Sequence, residues 1–114
     1  MAMAPVPLII DTDMSIDVDD VGAMCIAHAL CDAGEASLLA VVHSTGLSSG
    51  IGALAVINEY YHRWVPMGAY RGSVGAPDHT PAPRWTNGGR GAYVSDLLEQ
   101  FPSEIRNASQ VQYQ

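Results

Sequence analysis

Five aspartates fall within ten residues near the amino end of the chain, between a short apolar run and a longer apolar segment: Asp11, Asp13, Asp17, Asp19 and Asp20. Carboxylates this crowded repel one another, and a hard divalent cation such as Ca²⁺ or Mg²⁺ relieves the repulsion because it prefers carboxylate oxygens. The pattern predicts a divalent-cation site. The plainer alternative is a solvated acidic loop whose side chains cap the following helix.

Two well-known acidic and phosphate-binding motifs do not fit this segment. If Asp11 were the first position of an EF-hand loop, Ile16 would replace its turn glycine and Gly22 its final glutamate. A phosphate-binding glycine loop is also absent, because no glycine lies between the apolar run and Asp20.

The elements that must position the aspartates follow from the hydrophobic pattern. Short apolar runs predict strands near 7–11, 38–43 and 65–70. Helices are predicted over 19–33, ending at Gly34, and from about 51 to 63 after a Ser- and Gly-rich loop. This βαβαβ series predicts an α/β fold with an open, mostly parallel, Rossmann-like sheet. We favour the strand order 3-2-1 over 2-1-3. The order 3-2-1 leaves one edge of the first strand unpaired.

At 114 residues the chain has the length of one domain. We place its core at 7–72, followed by a Gly- and Pro-rich loop at 71–91 and a short helix at about 92–101, and we assign no element to the polar end. In an open parallel sheet ligands bind at the carboxyl ends of strands. His43 ends the second predicted strand, so it is a candidate substrate-binding residue.

The composition and charge limit the classes of partner and the cellular environment that we expect for this protein. A formal charge of −7 argues against nucleic acid, and no apolar run approaches the roughly 20 residues needed to span a membrane. Cys25 and Cys31 fall on different faces of one predicted helix, so we expect free thiols. With no secretory signal, we expect a cytoplasmic protein. An unpaired sheet edge favours association into a homo-oligomer.

The acidic motif and the order of the elements resemble the amino end of the inosine-uridine-preferring nucleoside hydrolases. The resemblance spans about 7–72 and rests on these segments: Leu8-Ile9-Ile10-Asp11-Thr12-Asp13, Asp19-Asp20-Val21-Gly22-Ala23-Met24, Leu38 to Gly46, Ile57 to Tyr61, and Val65 to Tyr70. In the usual family pattern the paired aspartates come two residues earlier, so this loop is longer and Asp17 is an additional acid.

The resemblance implies a partial nucleoside hydrolase fold and a Ca²⁺-dependent hydrolase that splits ribonucleosides into ribose and free base, as in purine and pyrimidine salvage. It implies that Asp13 binds the metal and takes a proton from water, and that Asp20 is a second ligand. By the same resemblance, Asp11 is the third metal-site residue and supports the cluster of acidic side chains around the cation. The resemblance also implies that Asp19 binds the ribose hydroxyls. These roles suit a reaction whose sugar develops positive charge that carboxylates stabilise.

Members of that family are longer, so we expect the chain to be an amino-terminal portion of the fold and a poor or inactive hydrolase by itself. Two alternatives stay open. One is a Mg²⁺-dependent phosphohydrolase of the haloacid dehalogenase type, which also places Asp-x-Asp after its first strand but leaves Asp19-Asp20 unexplained. The other is a protein that binds a cation without catalysis.

Overall fold

The computed structural model describes residues 3–15, 17–70 and 92–113. Strands and helices alternate through most of it: β1 (Val6–Thr12), α1 (Asp19–Asp32), β2 (Ala36–His43), α2 (Ser48–Tyr60), β3 (Met67–Ala69), α3 (Ala92–Gln100) and, after a 3-10 turn at Ala108–Gln110, β4 (Gln112–Tyr113). The predicted α/β class is confirmed. The predicted loop at 71–91 lies outside the described residues.

The four strands form one parallel sheet in the order β1-β2-β3-β4. Thr12 pairs with His43, and His43 with Ala69, so the carboxyl ends of the first three strands meet at one end of the sheet. The predicted parallel core and the preferred order 3-2-1 are therefore confirmed. The acidic segment follows β1 at this end, where ligands of such sheets bind.

The outer edge of β1 explains how a proline is accommodated in a strand. The Val6 N–H donates to the Glu35 carbonyl oxygen at 2.8 Å, on the β2 side. Successive residues of a strand turn their backbone groups to alternate sides, so Pro7 turns its nitrogen to the unpaired edge. A proline in a sheet is tolerated at that position because it cannot donate to a neighbour.

The core lies on one face of the sheet. Buried side chains from all three helices and from β2 form a single cluster, which includes Met24, Val41, Leu54 and Val94. In the described part of the chain, nothing encloses the opposite face at Ile9 and Leu39, whose side chains are 67% and 50% exposed, and we call it the open face. Among the described residues, no helix combines the length and the apolar composition needed to span a bilayer.

The end of α1 agrees with its prediction. Ala33 follows the helix, and Gly34 adopts a φ of 74°, a left-handed conformation that glycine takes without a steric cost. The Glu35 N–H then donates to the Leu30 carbonyl oxygen at 2.9 Å, which satisfies one of the last helical carbonyls.

The start of α2 differs from its prediction. The helix begins at Ser48, inside the segment 44–52 that its Ser and Gly content predicted to be a loop, and it ends at Tyr60 rather than at about residue 63. The small residues allow close packing instead of a turn. A Cβ at Gly52 would lie 2.5 Å from the Arg106 carbonyl oxygen and 2.6 Å from Leu98 Cδ2.

The last two strands correct the prediction in length and number. β3 covers only Met67–Ala69, because Pro66 precedes it, whereas a strand was predicted over 65–70. The polar end, to which no element was assigned, adds β4. Gln112 there pairs with Gly68 of β3.

Candidate functional site

The loop between β1 and α1 gathers most of the predicted acidic residues around one cavity. This acidic pocket has a volume of about 130 Å³ and is lined by Asp13, Ser15, Asp17, Asp19 and Asp20. It lies between the carboxyl end of β1 and the amino end of α1, where the helix dipole favours negative charge. Four of the five aspartates that the sequence singled out are thus brought together.

Asp11 is the predicted acidic residue that does not line the pocket. Its side chain is exposed, whereas the next residue, Thr12, is buried. Because successive side chains of a strand point to opposite faces, Asp11 lies on the open face of the sheet and Thr12 on the core face.

Thr12, for which the sequence predicts no role, connects the pocket to the sheet by hydrogen bonds. Its hydroxyl donates to Asp20 Oδ1 at 2.5 Å, which fixes one oxygen of that carboxylate. Its carbonyl oxygen accepts hydrogen bonds from the Ser44 N–H at 2.9 Å and the Ser44 hydroxyl at 3.2 Å. The strand alternation that places Thr12 inward is the signal that could have found it.

His43 is fully buried and is not among the residues that line the pocket. Its Nε2 lies 3.0 Å from the Met14 carbonyl oxygen, so Nε2 carries the proton and donates it. The Thr45 hydroxyl lies 3.2 Å from the same nitrogen. Nδ1 has no hydrogen-bond partner among the described residues. The ring therefore holds the acidic loop through the backbone of Met14.

Burial lowers the pKa of His43, which favours the neutral ring. The hydrogen bond to Met14 and the charges of Asp20, Asp13 and Asp11 act in the opposite direction but do not outweigh burial.

Gly50 makes this packing feasible. A Cβ at Gly50 would overlap His43 Nε2 and lie 2.7 Å from the Met14 carbonyl oxygen. Only glycine lets α2 approach the end of β2 and the acidic loop this closely. The same Ser- and Gly-rich composition that allows this packing is also typical of loops, so the sequence alone predicts a loop here.

Tyr93 of α3 approaches the pocket from the far end of the sequence. Its hydroxyl donates to the Asp17 carbonyl oxygen at 2.6 Å. Burial raises the pKa of Tyr93, and the charges of Asp20, Asp19, Asp17 and Asp13 raise it further. The phenol is therefore a permanent donor beside the acidic loop. The sequence placed Tyr93 in a helix, and no local pattern indicates its contact with Asp17.

The oxygen donors of the pocket are of the type that Ca²⁺ and Mg²⁺ prefer. No arginine or lysine pairs with them in the described ranges, where the one ion pair joins Arg63 to Asp32 at the other end of α1. Across those same ranges, no three His, Cys, Asp or Glu side chains are arranged as a group that could hold a metal ion. The donor type fits a cation, and binding would require the carboxylates to converge.

A scan of protein-family models finds no match for this chain, and searches of curated proteins and of solved structures find no similar protein. A proposal of function therefore depends on the residues of the pocket and on their surroundings.

Proposed function

We propose that the acidic pocket binds a divalent cation, Ca²⁺ in the first place, and that the protein is a nucleoside N-ribohydrolase with the fold of the nucleoside hydrolases. One observation supports this proposal above the others. Four carboxylates of one loop line a single cavity at the carboxyl end of a parallel sheet. A loop that only caps α1 needs one or two acids at its helix end, and it has no need of Asp13 and Asp17 beside them.

In this proposal Asp13 and Asp20 hold the cation, and Asp19 binds the ribose hydroxyls. The Thr12 hydroxyl engages Asp20 Oδ1, which leaves Oδ2 for the ligand and limits the rotation of the side chain. Asp11 lies outside the pocket lining, so it contributes charge from the neighbouring strand position and not a direct bond.

Asp13 and Asp20 would hold the cation, which would lower the pKa of a nearby water molecule and offset part of the carboxylate charge. Asp13, which directly follows β1, would accept the proton of the attacking water. The remaining carboxylates stabilise the positive charge that the ribose ring develops as the bond to the base breaks.

His43 acts in this proposal by positioning. The ring is enclosed and donates to Met14, so direct contact with a substrate would require the loop that follows β1 to move. The hydrogen bond to Met14 instead fixes the backbone on which Asp13 and Ser15 stand.

The second candidate function is cation binding without turnover. The lining of the acidic pocket consists of carboxylates and one hydroxyl, and the nearby His43 is enclosed. The described part of the pocket therefore offers no imidazolium or other evident general acid to protonate a departing base.

Release of free base from inosine and uridine tests the proposal. Because the chain is expected to be a poor hydrolase by itself, we expect weak base release that depends on added Ca²⁺, that stops with a chelator, and that falls by at least tenfold in Asp13→Asn. Glu35→Gln is the matched control, because this exposed acid lies at the opposite end of the sheet. Base release that survives chelation, or that is equal in Asp13→Asn and Glu35→Gln, would contradict the proposed enzyme. Ca²⁺ binding without base release would favour the second candidate.

A further inference from the structure

A buried histidine far from the acidic pocket is held by a chain of polar contacts between α1 and the end of α2. His28 is fully buried in the middle of α1. Its Nε2 lies 2.9 Å from Asn58 Oδ1, and its Nδ1 lies 3.0 Å from Arg63 Nη1. Arg63 also donates through Nη2 to Asp32 Oδ1 at 2.7 Å.

These contacts fix the protonation state of the ring. A guanidinium can only donate, so Nδ1 of His28 must accept and must carry no proton. The proton of the neutral imidazole is then on Nε2, where it is donated to Asn58 Oδ1. The opposite orientation of the Asn58 amide would set its NH₂ group against that N–H. The contacts therefore agree with one another only when His28 is neutral.

This arrangement leaves one hydrogen-bond donor of the Asn58 amide unsatisfied. Its Nδ2 is buried and has no hydrogen-bond partner among the described residues. A buried donor without a partner is costly, and the amide keeps this orientation because the alternative would break the bond to His28.

The surroundings of the ring oppose a second proton. Burial lowers the pKa of His28, and the charge of Arg63 lowers it further, whereas the hydrogen bond to Asn58 and the charge of Asp32 raise it. From the segment that follows α2, the titratable groups that face the ring are Arg63 and Tyr61, whose ring stacks on the imidazole with centroids 4.6 Å apart. Asp32 is the facing acid on α1 itself.

We propose that the contacts among His28, Arg63 and Asp32 form a pH-sensitive clamp that fastens the carboxyl end of α2 to α1. The clamp is closed while His28 is neutral. A proton on Nδ1 removes the acceptor for Arg63 and places a cationic N–H against the guanidinium. Arg63 must then swing away, which leaves its contact with exposed Asp32 as a surface pair of little strength. The attachment of Arg63 to α1 is weakened as a result.

An NMR pH titration of the full chain tests the clamp. We expect the His28 ring to titrate with a midpoint below 6.5, and the Arg63 side-chain N–H and Tyr61 ring signals to shift with the same midpoint. Arg63→Gln should raise that midpoint, because it removes a facing positive charge and keeps a donor. Asp32→Asn should lower it. A role in packing alone does not predict these opposite shifts.

The matched control is His62→Asn, which removes an exposed histidine next to Arg63. His62 has a φ of 52°, a conformation that asparagine tolerates, so the variant should fold and leave the His28 midpoint unchanged. A His28 midpoint at or above 6.5, Arg63 and Tyr61 signals that do not follow it, or a ring that stays neutral until the chain unfolds would overturn the proposal. Shifts of the same sign in Arg63→Gln and Asp32→Asn would also overturn it. No outcome of this titration depends on the acidic pocket.

Discussion

Replacement of Gly50 by alanine is the sharpest test of how α2 supports the acidic loop. The new Cβ would overlap His43 Nε2 and lie 2.7 Å from the Met14 carbonyl oxygen, so the ring and the loop must both move. Their mutual hydrogen bond at 3.0 Å cannot keep its geometry during that movement. Overpacking of a tight core costs about 1–3 kcal/mol. The better helix propensity of alanine offsets only about 0.5–1 kcal/mol of this cost.

Gly22 provides the matched control for this substitution. It lies on the exposed side of α1, and a Cβ there would meet no atom within 4 Å. Gly22→Ala should therefore raise the free energy of unfolding by about 0.5–1 kcal/mol, the propensity gain alone. Urea unfolding followed by circular dichroism measures both variants against the natural sequence. Gly50→Ala should be about 1–3 kcal/mol less stable than Gly22→Ala, because only the Gly50 site carries the packing cost. If the two variants prove equally stable, the close approach of α2 to His43 is not as described.

Three further predictions concern the same framework. Thr12→Val should lower the free energy of unfolding by about 1.5–3 kcal/mol, because the hydroxyl donates to a charged acceptor, and urea unfolding that matches the natural protein would refute that bond. Tyr93→Phe should lower the free energy of unfolding in urea by about 0.5–1.5 kcal/mol, because it removes the hydrogen bond to the Asp17 carbonyl oxygen. An unchanged unfolding midpoint would show that α3 does not stabilise the acidic loop through this bond. The pKa values of His28 and His43 are lowered in the folded chain, so the unfolded chain binds more protons below about pH 6.5. The free energy of unfolding should therefore be highest above about pH 6.5. It should fall by up to about 1.4 kcal/mol per histidine as the pH is lowered from 7.5 to 5.5. A free energy of unfolding that stays constant or increases as the pH is lowered would contradict the burial of both rings.

Local sequence patterns were sufficient to predict β1 and α1. The apolar run before Asp11 and the helix that ends before Gly34 depend on hydrophobic periodicity and on a glycine signal, which neighbouring residues carry. The strand order 3-2-1 followed from the similarity of the βαβαβ series to the start of a Rossmann-like sheet. The grouping of four aspartates at the end of β1 followed from the rule that ligands bind at the carboxyl ends of parallel strands.

The remaining features depend on contacts between distant residues. Ser48 to Gly52 was interpreted as a loop, although its small residues allow α2 to pack against β2 and Arg106. β4 is only two residues long and is defined by pairing with β3, so it has no hydrophobic pattern of its own. The bond from Tyr93 to Asp17 joins residues with no local relation in sequence.

His43 illustrates a mixed outcome. The prediction that it ends β2 at the ligand end of the sheet is confirmed. Its role as a substrate-binding residue stays a prediction, and the enclosure of the ring by Gly50 and the Met14 backbone favours the positioning role that we propose instead. Which side chains a packed helix encloses depends on distances that sequence spacing does not contain.

Calorimetric titration of the full chain with Ca²⁺ tests whether the acidic pocket is a cation site. We expect saturable binding of Ca²⁺ to the natural protein, an affinity at least tenfold weaker in Asp20→Asn, and an unchanged affinity in Glu35→Gln, whose exposed acid lies at the far end of the sheet. Circular dichroism of the three proteins confirms that each is folded. Folded natural protein that binds no Ca²⁺, or an Asp20→Asn variant that binds it as tightly as Glu35→Gln, would contradict the assignment of a cation site to the acidic pocket.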